Sequence, residues 1–236
     1  MCQDCTTGSV SRRGLITGGL ALTLAAPLVV QAAAQESVEP APVSPEAALQ
    51  RLIDGNARYV DNAAINTDHS VTRAARAQGQ QPFAAIVTCS DSRVAPELIF
   101  DQGPGELFVI RVAGNFISEE GLATLEYGVA VLGIKTILVL GHSACGAVEA
   151  TIASINDREL PPGHLPSLVN AIRPAVYEVM DSAPDDLLAA STAQNAKRNA
   201  ELAKTEGPIL SEAYAAGKLS AVAGVYEIAT GRVTIL

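Results

Sequence analysis

The chain reads FAAIVTCSDSR at residues 83–93 and TILVLGHSACG at residues 136–146. Each stretch begins as an apolar run and then turns abruptly polar. An apolar run without alternation is typical of a strand that is buried on both faces, as in a parallel sheet covered by helices. Further runs of this kind lie at residues 107–112 and 221–227. Together the four runs predict the strands of one sheet.

Helical patterns separate the predicted strands. Apolar residues recur at positions 122, 125, 129 and 132, which places them on one face of a helix spanning residues 119–132. Similar patterns occupy residues 45–60, 71–78, 146–155, 165–180 and 184–204. Residues 222–236 predict a hairpin that turns at Thr230-Gly231 and closes one sheet edge. The predicted fold is therefore α/β, with a central, mainly parallel β-sheet flanked by helices, a C-terminal hairpin edge and an N-terminal helix.

Composition limits the partners. The 236 residues are 48% apolar and carry a formal charge of −9. A chain of this length holds one domain with a sizeable core. Binding to nucleic-acid phosphates needs an excess of Lys and Arg, so the acidic balance excludes that class of partner. A small-molecule substrate is compatible with the acidic charge of the chain.

The first 34 residues have the features of an export signal. Arg12-Arg13 precedes an apolar stretch of small residues, and Ala32-Ala33-Ala34 supplies an A-x-A cleavage pattern. Paired arginines with modest hydrophobicity are typical of the twin-arginine signal, which exports folded proteins. An uncleaved membrane anchor is the alternative.

These features predict three segments. A signal peptide occupies residues 1–34, a linker rich in Pro, Glu and Ala occupies residues 35–44, and a single domain occupies residues 45–236. The mature protein is expected to be periplasmic or secreted, because a twin-arginine signal directs export. No later segment is apolar for long enough to predict a membrane span.

Side chains with metal-binding or charged groups directly follow two of the predicted strands. Cys89, Asp91 and Arg93 come after the first strand, and His142 and Cys145 come after the third. Neighbouring parallel strands end at the same edge of a sheet, where ligand sites collect. We therefore expect these five side chains to share one site.

Cys89, His142 and Cys145 belong to the residue types that bind zinc. A structural zinc site is usually closed by four Cys or His ligands. His69 and His164 lie in polar, turn-like stretches and are expected at the surface. A zinc ion would then take water or a carboxylate as its fourth ligand, which is the description of a catalytic site.

Other interpretations of the cysteines stay open at this point. Cysteine pairs in exported proteins often form disulfides, which here would join Cys89 to Cys145. A non-catalytic zinc or thiol-redox module would use the same two residues. Cys2 and Cys5 also have the spacing of a metal or redox pair, but they fall within the predicted signal.

The two motifs together resemble those of the β-class carbonic anhydrase family, here as an exported bacterial member. They are Cys-Ser-Asp-Ser-Arg at residues 89–93 and Gly-His-Ser-Ala-Cys-Gly at residues 141–146. The resemblance covers residues 45–236, and the further similar segments are 104–109, 111–115, 125–129 and 208–218. It implies one Zn²⁺ per chain, held by Cys89, His142 and Cys145, and the reversible hydration of carbon dioxide to bicarbonate and a proton.

The resemblance also implies roles for residues beside the metal. Asp91 would accept a hydrogen bond from the zinc hydroxide and orient it toward carbon dioxide, while Arg93 pairs with Asp91 and keeps it off the metal. In some relatives this aspartate is instead the fourth zinc ligand of an inactive closed form, so Asp91 is also a candidate ligand. Gln80 and the backbone N–H of Gly146 are the expected contacts of bicarbonate.

Quaternary structure and regulation follow from the same resemblance. Members of the family are typically homodimers or homotetramers with active sites at the subunit interface, and residues 45–60 would form an arm that embraces the neighbour. Ile86 stands where bicarbonate-inhibited bacterial members carry Trp, so we expect a site that stays open at neutral pH. No histidine is obviously placed as a proton shuttle, so turnover should depend on buffer. Hydrolysis of carbonyl sulfide or carbon disulfide is the alternative activity.

Overall fold

A computed structural model describes residues 43–70 and 73–236; the predicted signal and most of the predicted linker lie outside these ranges. The described strands are β1 Ala84–Thr88, β2 Leu107–Arg111, β3 Thr136–His142, β4 Ser220–Tyr226 and β5 Val233–Ile235. They form one sheet in the order β2-β1-β3-β4-β5. All neighbours are parallel except β4 and β5, which are antiparallel. The predicted parallel sheet with a hairpin at its edge is confirmed.

Helices connect the parallel strands. The described helices are α1 Pro45–Val60, α2 Arg73–Arg76, α3 Pro96–Ile99, α4 Glu119–Ala130, α5 Gly146–Asp157, α6 Leu165–Met180, α7 Leu187–Thr205 and α8 Ile209–Ala215. The predicted bounds of α1 and α6 are confirmed. Of the helix predicted at residues 71–78, positions 71 and 72 lie outside the described residues and the helical part of the rest is α2; the short helices α3 and α8 were not predicted. Within the described ranges, no helix combines the length and the apolar composition that crossing a membrane requires.

Every residue of β1 and β3 is buried. Because successive side chains of a strand point to opposite sides, both faces of these strands are covered. One face of β1 and β3 packs against α4, α7 and α8 through Ala85, Val87, Ile137, Val139, Leu125, Ala196, Ala200 and Leu210. The other face packs against α1 and α3 through Ala84, Ile86, Leu138, Leu140, Ala48, Leu52 and Ile99. This arrangement explains why both strands are apolar throughout rather than alternating.

The helix α1 begins where the sequence predicts. The Ser44 side chain caps it by accepting a hydrogen bond from the Ala47 N–H at 3.2 Å, and Pro45 occupies the first helical position. The Thr136 hydroxyl then donates to the Pro45 carbonyl oxygen at 2.8 Å. The start of α1 is therefore held at the amino end of β3.

Strand pairing brings the two motifs together. In the β1–β3 pair, Thr88 lies opposite Leu140, and the Thr88 hydroxyl donates to the Leu140 carbonyl oxygen at 3.3 Å. The chain leaves β1 at Cys89 and β3 at His142, at the same edge of the sheet. Because α5 begins immediately afterwards, with Cys145 at its N-cap position, the third candidate ligand returns to that edge.

Candidate metal centre

Three candidate ligands meet at the carboxyl ends of β1 and β3. The ligand atoms of Cys89, His142 and Cys145 all lie within 4.8 Å of one another. His142 and Cys145 are fully buried, and Cys89 is 5% exposed. Apolar side chains, among them Val148 and Ile172, pack against the two cysteines. Two sulfurs and one imidazole nitrogen at this spacing fit a zinc ion.

The orientation of the His142 ring supports a role as a ligand. Its Nδ1 lies 2.9 Å from the carbonyl oxygen of Ser143. A carbonyl oxygen only accepts, so Nδ1 carries the proton and Nε2 keeps its lone pair. Nε2 is buried and has no hydrogen-bond partner within the described residues. A buried nitrogen with a free lone pair, its ring fixed by a backbone carbonyl, is the usual state of a metal-binding histidine.

The two cysteines are free thiols, so the disulfide considered above is not formed. The two thiols lie within 4.8 Å of each other, and their interaction lowers the pKa of Cys89 while it raises the pKa of Cys145. Burial opposes the shift at Cys89 and adds to the shift at Cys145. The pair thus holds its first negative charge readily and its second only with a cation nearby, which a divalent metal provides.

Asp91 and Arg93 form an ion pair beside the three ligands. Arg93 donates through Nε to Asp91 Oδ1 at 2.9 Å and through Nη2 to Oδ2 at 2.7 Å. The backbone N–H of Arg93 also donates to Oδ1, at 2.9 Å. These hydrogen bonds hold the pKa of the Asp91 carboxyl far below its usual range, so it is ionised at neutral pH. Its Oδ2 lies 3.9 Å from Nε2 of His142.

Arg111 at the end of β2 is a site residue that the sequence did not single out. It donates through Nε to the Cys89 carbonyl oxygen at 3.1 Å and through Nη2 to the Asp91 carbonyl oxygen at 2.6 Å. Thr88 and Arg111 face each other across the β1–β2 pair, which places the guanidinium under the loop after β1. A charged residue ending an otherwise apolar strand is the signal that could have identified it.

The remaining predicted residues lie outside the cluster of ligands. His69 and His164 are both exposed, as predicted. Gly146 is the first residue of α5 and is exposed, with its N–H at the helix start. Gln80 is exposed, and no hydrogen bond of its side chain is found within the described part of the chain.

Known proteins resemble this chain over most of its length. A family model for carbonic anhydrase matches residues 84–233. The carbonic anhydrase of Mycolicibacterium smegmatis is 35% identical over 196 residues, which cover 81% of this chain and 93% of the relative. A Coccomyxa β-carbonic anhydrase, solved in complex with acetazolamide, aligns with a TM-score of 0.62 and 29% identity over 80% of this chain and 86% of its own. For one of two tetrameric β-carbonic anhydrases from Sordaria macrospora, the TM-score is 0.64 and the identity 25%, over 80% of this chain and 96% of that one.

These similarities extend well beyond the two motifs. The family match begins with β1 and ends in β5, so it includes both loops that carry the cysteines. The solved structures share the mainly parallel sheet and its helices. Together with a buried Cys-His-Cys group able to hold one zinc ion, they show that the chain belongs to the β-class carbonic anhydrase family.

Proposed function

We propose that this carbonic anhydrase hydrates carbon dioxide at a zinc ion held by Cys89, His142 Nε2 and Cys145, with Asp91 and Arg93 orienting the nucleophile. The observation that carries the proposal is the meeting of three ligand atoms within 4.8 Å, beside a carboxylate held by a guanidinium. When bound, zinc lowers the pKa of a water molecule and so supplies a nucleophile near neutral pH. The protein supplies the donor set, its orientation and the charges around it.

The donor set determines how strongly the metal can act. The thiolates of Cys89 and Cys145 together cancel the charge of a zinc dication, so water there is acidified less than in a site with three neutral histidines. We therefore expect activity to rise with pH over the neutral to alkaline range. The Ser143 carbonyl oxygen, which accepts the proton of Nδ1, keeps the His142 ring in the orientation in which Nε2 faces the two sulfurs.

Asp91 is proposed as the acceptor that orients the nucleophile. An ionised carboxylate only accepts hydrogen bonds, so it would bind the hydrogen of the attacking group and leave the oxygen lone pair directed at carbon dioxide. Arg93 donates a hydrogen bond to each carboxylate oxygen of Asp91 and so restrains the orientation of the carboxylate. The same restraint opposes rotation of Asp91 onto the metal, which favours the open form over the closed one with Asp91 as fourth ligand. The Gly146 N–H and Gln80 are proposed contacts of bicarbonate.

We further propose that the protein is an exported homodimer or homotetramer. The Sordaria macrospora relatives are tetrameric. Large apolar side chains such as Ile65, Leu98 and Val131 are 58–71% exposed in the single chain, which suits burial against other copies. The paired arginines in the first residues support export through the twin-arginine route. Analytical ultracentrifugation measures the oligomer, and the N-terminal residue of protein from the native host locates the cleavage.

Stopped-flow hydration of carbon dioxide on metal-quantified protein tests the central proposal. We expect about one zinc per chain, loss of activity on chelation and recovery on adding zinc. Protein that holds one zinc per chain but does not hydrate carbon dioxide would contradict the proposal. Carbonyl sulfide and carbon disulfide are assayed in parallel, because the donor set alone does not separate these substrates; the comparisons favour neither that activity nor a non-catalytic zinc or thiol module.

A further inference from the structure

The helix α7 carries an unusual row of buried polar side chains. Ser191, Thr192, Asn195 and Asn199 lie on its inner face and are at most 8% exposed. Burying an amide is costly unless it is fully hydrogen-bonded. Apolar residues would be expected on a helix face that packs against a sheet, so the two asparagines call for a specific explanation.

Asn195 is linked to the metal centre through a single residue. Its Nδ2 donates to the Gly114 carbonyl oxygen at 2.7 Å. The N–H of the same Gly114 donates to the Cys89 sulfur at 3.3 Å. The carbonyl of Gly114 is therefore held by α7, and its N–H is directed at a candidate zinc ligand.

The backbone of Gly114 is closely confined by its surroundings. Its φ of +82° is one that other residues rarely adopt. A Cβ at this position would lie 2.4 Å from Cδ1 of Ile172. Gly114 is thus confined on one side by Ile172 of α6, and the Asn195 side chain of α7 holds its carbonyl oxygen.

Asn199 fixes the direction of the Asn195 amide. Its Nδ2 donates to the Asn195 backbone carbonyl oxygen at 2.9 Å and to Asn195 Oδ1 at 3.3 Å. Because Oδ1 accepts from Asn199, the NH₂ group of Asn195 is the end that faces Gly114. Asn199 Oδ1 in turn accepts from the Ile117 N–H at 2.8 Å, which ties a second point of the same loop to α7.

We propose that Asn195 is a positioning residue for the metal ligand Cys89, acting through the backbone of Gly114, whose carbonyl it holds and whose N–H donates to the sulfur; this rests on Cys89 being a zinc ligand, as proposed above. An N–H···S bond places positive charge at the sulfur and so reduces the electron density that the thiolate gives to the metal. With two thiolates in the donor set, that reduction preserves part of the acidity of the metal. Asn195 keeps the donor aimed at the sulfur.

The variant Asn195→Ala tests the proposal by metal spectroscopy. In protein loaded with Co²⁺, we expect the thiolate-to-cobalt charge-transfer band to shift and zinc release to a chelator to become about tenfold faster, the scale on which outer groups tune metal sites. The matched control is Asn56→Ala. Asn56 is also buried, and within the described part of the chain its side chain bonds backbone groups alone, at Ile99, Gly231 and Val233, away from the ligand loops.

The outcomes separate positioning from general stability. If Asn195→Ala has the spectrum and zinc-release rate of the wild type, or changes no more than Asn56→Ala, the proposal is wrong. If cobalt-loaded wild type lacks a thiolate band, the failure lies instead in the assignment of Cys89 as a ligand. Should Asn195→Ala not fold, ¹¹³Cd-loaded wild type decides, since a scalar coupling between cadmium and the Gly114 amide proton is expected across the N–H···S bond and its absence would overturn the mechanism.

Discussion

Arg93 donates to both carboxylate oxygens of Asp91, through Nε at 2.9 Å and Nη2 at 2.7 Å. The two residues are only two positions apart, and the Arg93 backbone N–H also donates to Oδ1. This parallel, two-point geometry is the strong form of the arginine–carboxylate pair. Arg93 Nη2 also approaches the Ala144 carbonyl oxygen at 3.4 Å, so the guanidinium joins the loops that follow β1 and β3. The pair is thus fixed relative to all three candidate ligands.

Replacing Asp91 with Asn should abolish most of the activity and spare the metal. The amide has nearly the same shape, but it lacks the charge of the carboxylate and places an NH₂ group where an acceptor is needed. We expect stopped-flow hydration to fall about 100-fold or more, with zinc still near one per chain. The control Asp54→Asn changes an exposed carboxylate on α1 and should keep full activity. Equal activity in Asp91→Asn and wild type would rule out the orienting role.

Replacing Arg93 with Ala should release Asp91 from its restraint. The carboxylate would then be free to turn toward the metal and compete with water for the fourth coordination position. This competition should lower activity about 10- to 100-fold. In Co²⁺-loaded protein, the visible spectrum should shift toward that of a site with four protein ligands. Arg198→Ala removes an exposed arginine that pairs with Glu178, and it serves as the matched control. A fully active Arg93→Ala variant with an unchanged cobalt spectrum would show that Asp91 needs no restraint.

Asp101 should make the fold sensitive to acid. Its side chain is 1% exposed and accepts hydrogen bonds from Arg58 Nε at 2.5 Å and from the N–H groups of Ile65 and Asn66. Burial alone would raise the pKa of Asp101, but these bonds outweigh it and lower the pKa. Because the folded pKa lies below the unfolded value of about 4, the contribution to stability is complete above that pH and is lost as the pH falls through and below it.

The variant Asp101→Asn measures that contribution. Asn tolerates the left-handed backbone found here, with φ at +45°, so the substitution removes the charge without backbone strain. At pH 7 we expect urea unfolding to show a loss of about 1.5–3 kcal/mol. The gap to wild type should stay constant above about pH 5 and narrow as the pH falls below about 4, because the contribution of Asp101 is lost from the unfolded pKa downward through the lower folded pKa. A gap that stays constant as the pH falls below about 4 would contradict the assignment.

Gly55 should not tolerate a methyl group. A Cβ on Gly55 would lie 1.9 Å from the backbone oxygen of Phe100, where α1 crosses the end of α3. Backbone atoms cannot rotate away, so Gly55→Ala should destabilise the fold by about 3 kcal/mol, at the upper end of overpacking effects. Gly79→Ala is the control, because a Cβ there meets nothing within 4 Å. Similar unfolding midpoints for the two variants would show that α1 and α3 are less tightly packed.

Proton release should depend on the buffer. His69 and His164 are exposed and are not among the residues whose ligand atoms cluster at the metal centre. The double variant His69→Ala/His164→Ala should therefore keep the wild-type kcat, and kcat should rise with buffer concentration in both proteins until another step limits turnover. A double variant that responds more steeply to buffer than the wild type would identify one of these histidines as a shuttle.

Regular patterns in the sequence predicted much of the architecture. The α1 bounds followed from the helical pattern that begins at Pro45, and the buried strands followed from apolar runs without alternation. The helices α3 and α8 escaped prediction, because four and seven residues are too few to display a helical period. The helix α7 begins at Leu187 rather than at residue 184, because Asp186 caps it through the Ala189 N–H.

The sequence by itself determined the types of the candidate ligands and their meeting place, since Cys89, His142 and Cys145 lie at or just beyond the ends of neighbouring strands of one parallel sheet. Only the tertiary structure decided how those ligands are held. Arg111 reaches the Cys89 carbonyl oxygen across 22 positions, and Asn195 reaches Gly114 across 81. Local periodicity carries no information about contacts between residues so distant in the chain; they exist because the strand register and the packing of α7 bring them within hydrogen-bond distance.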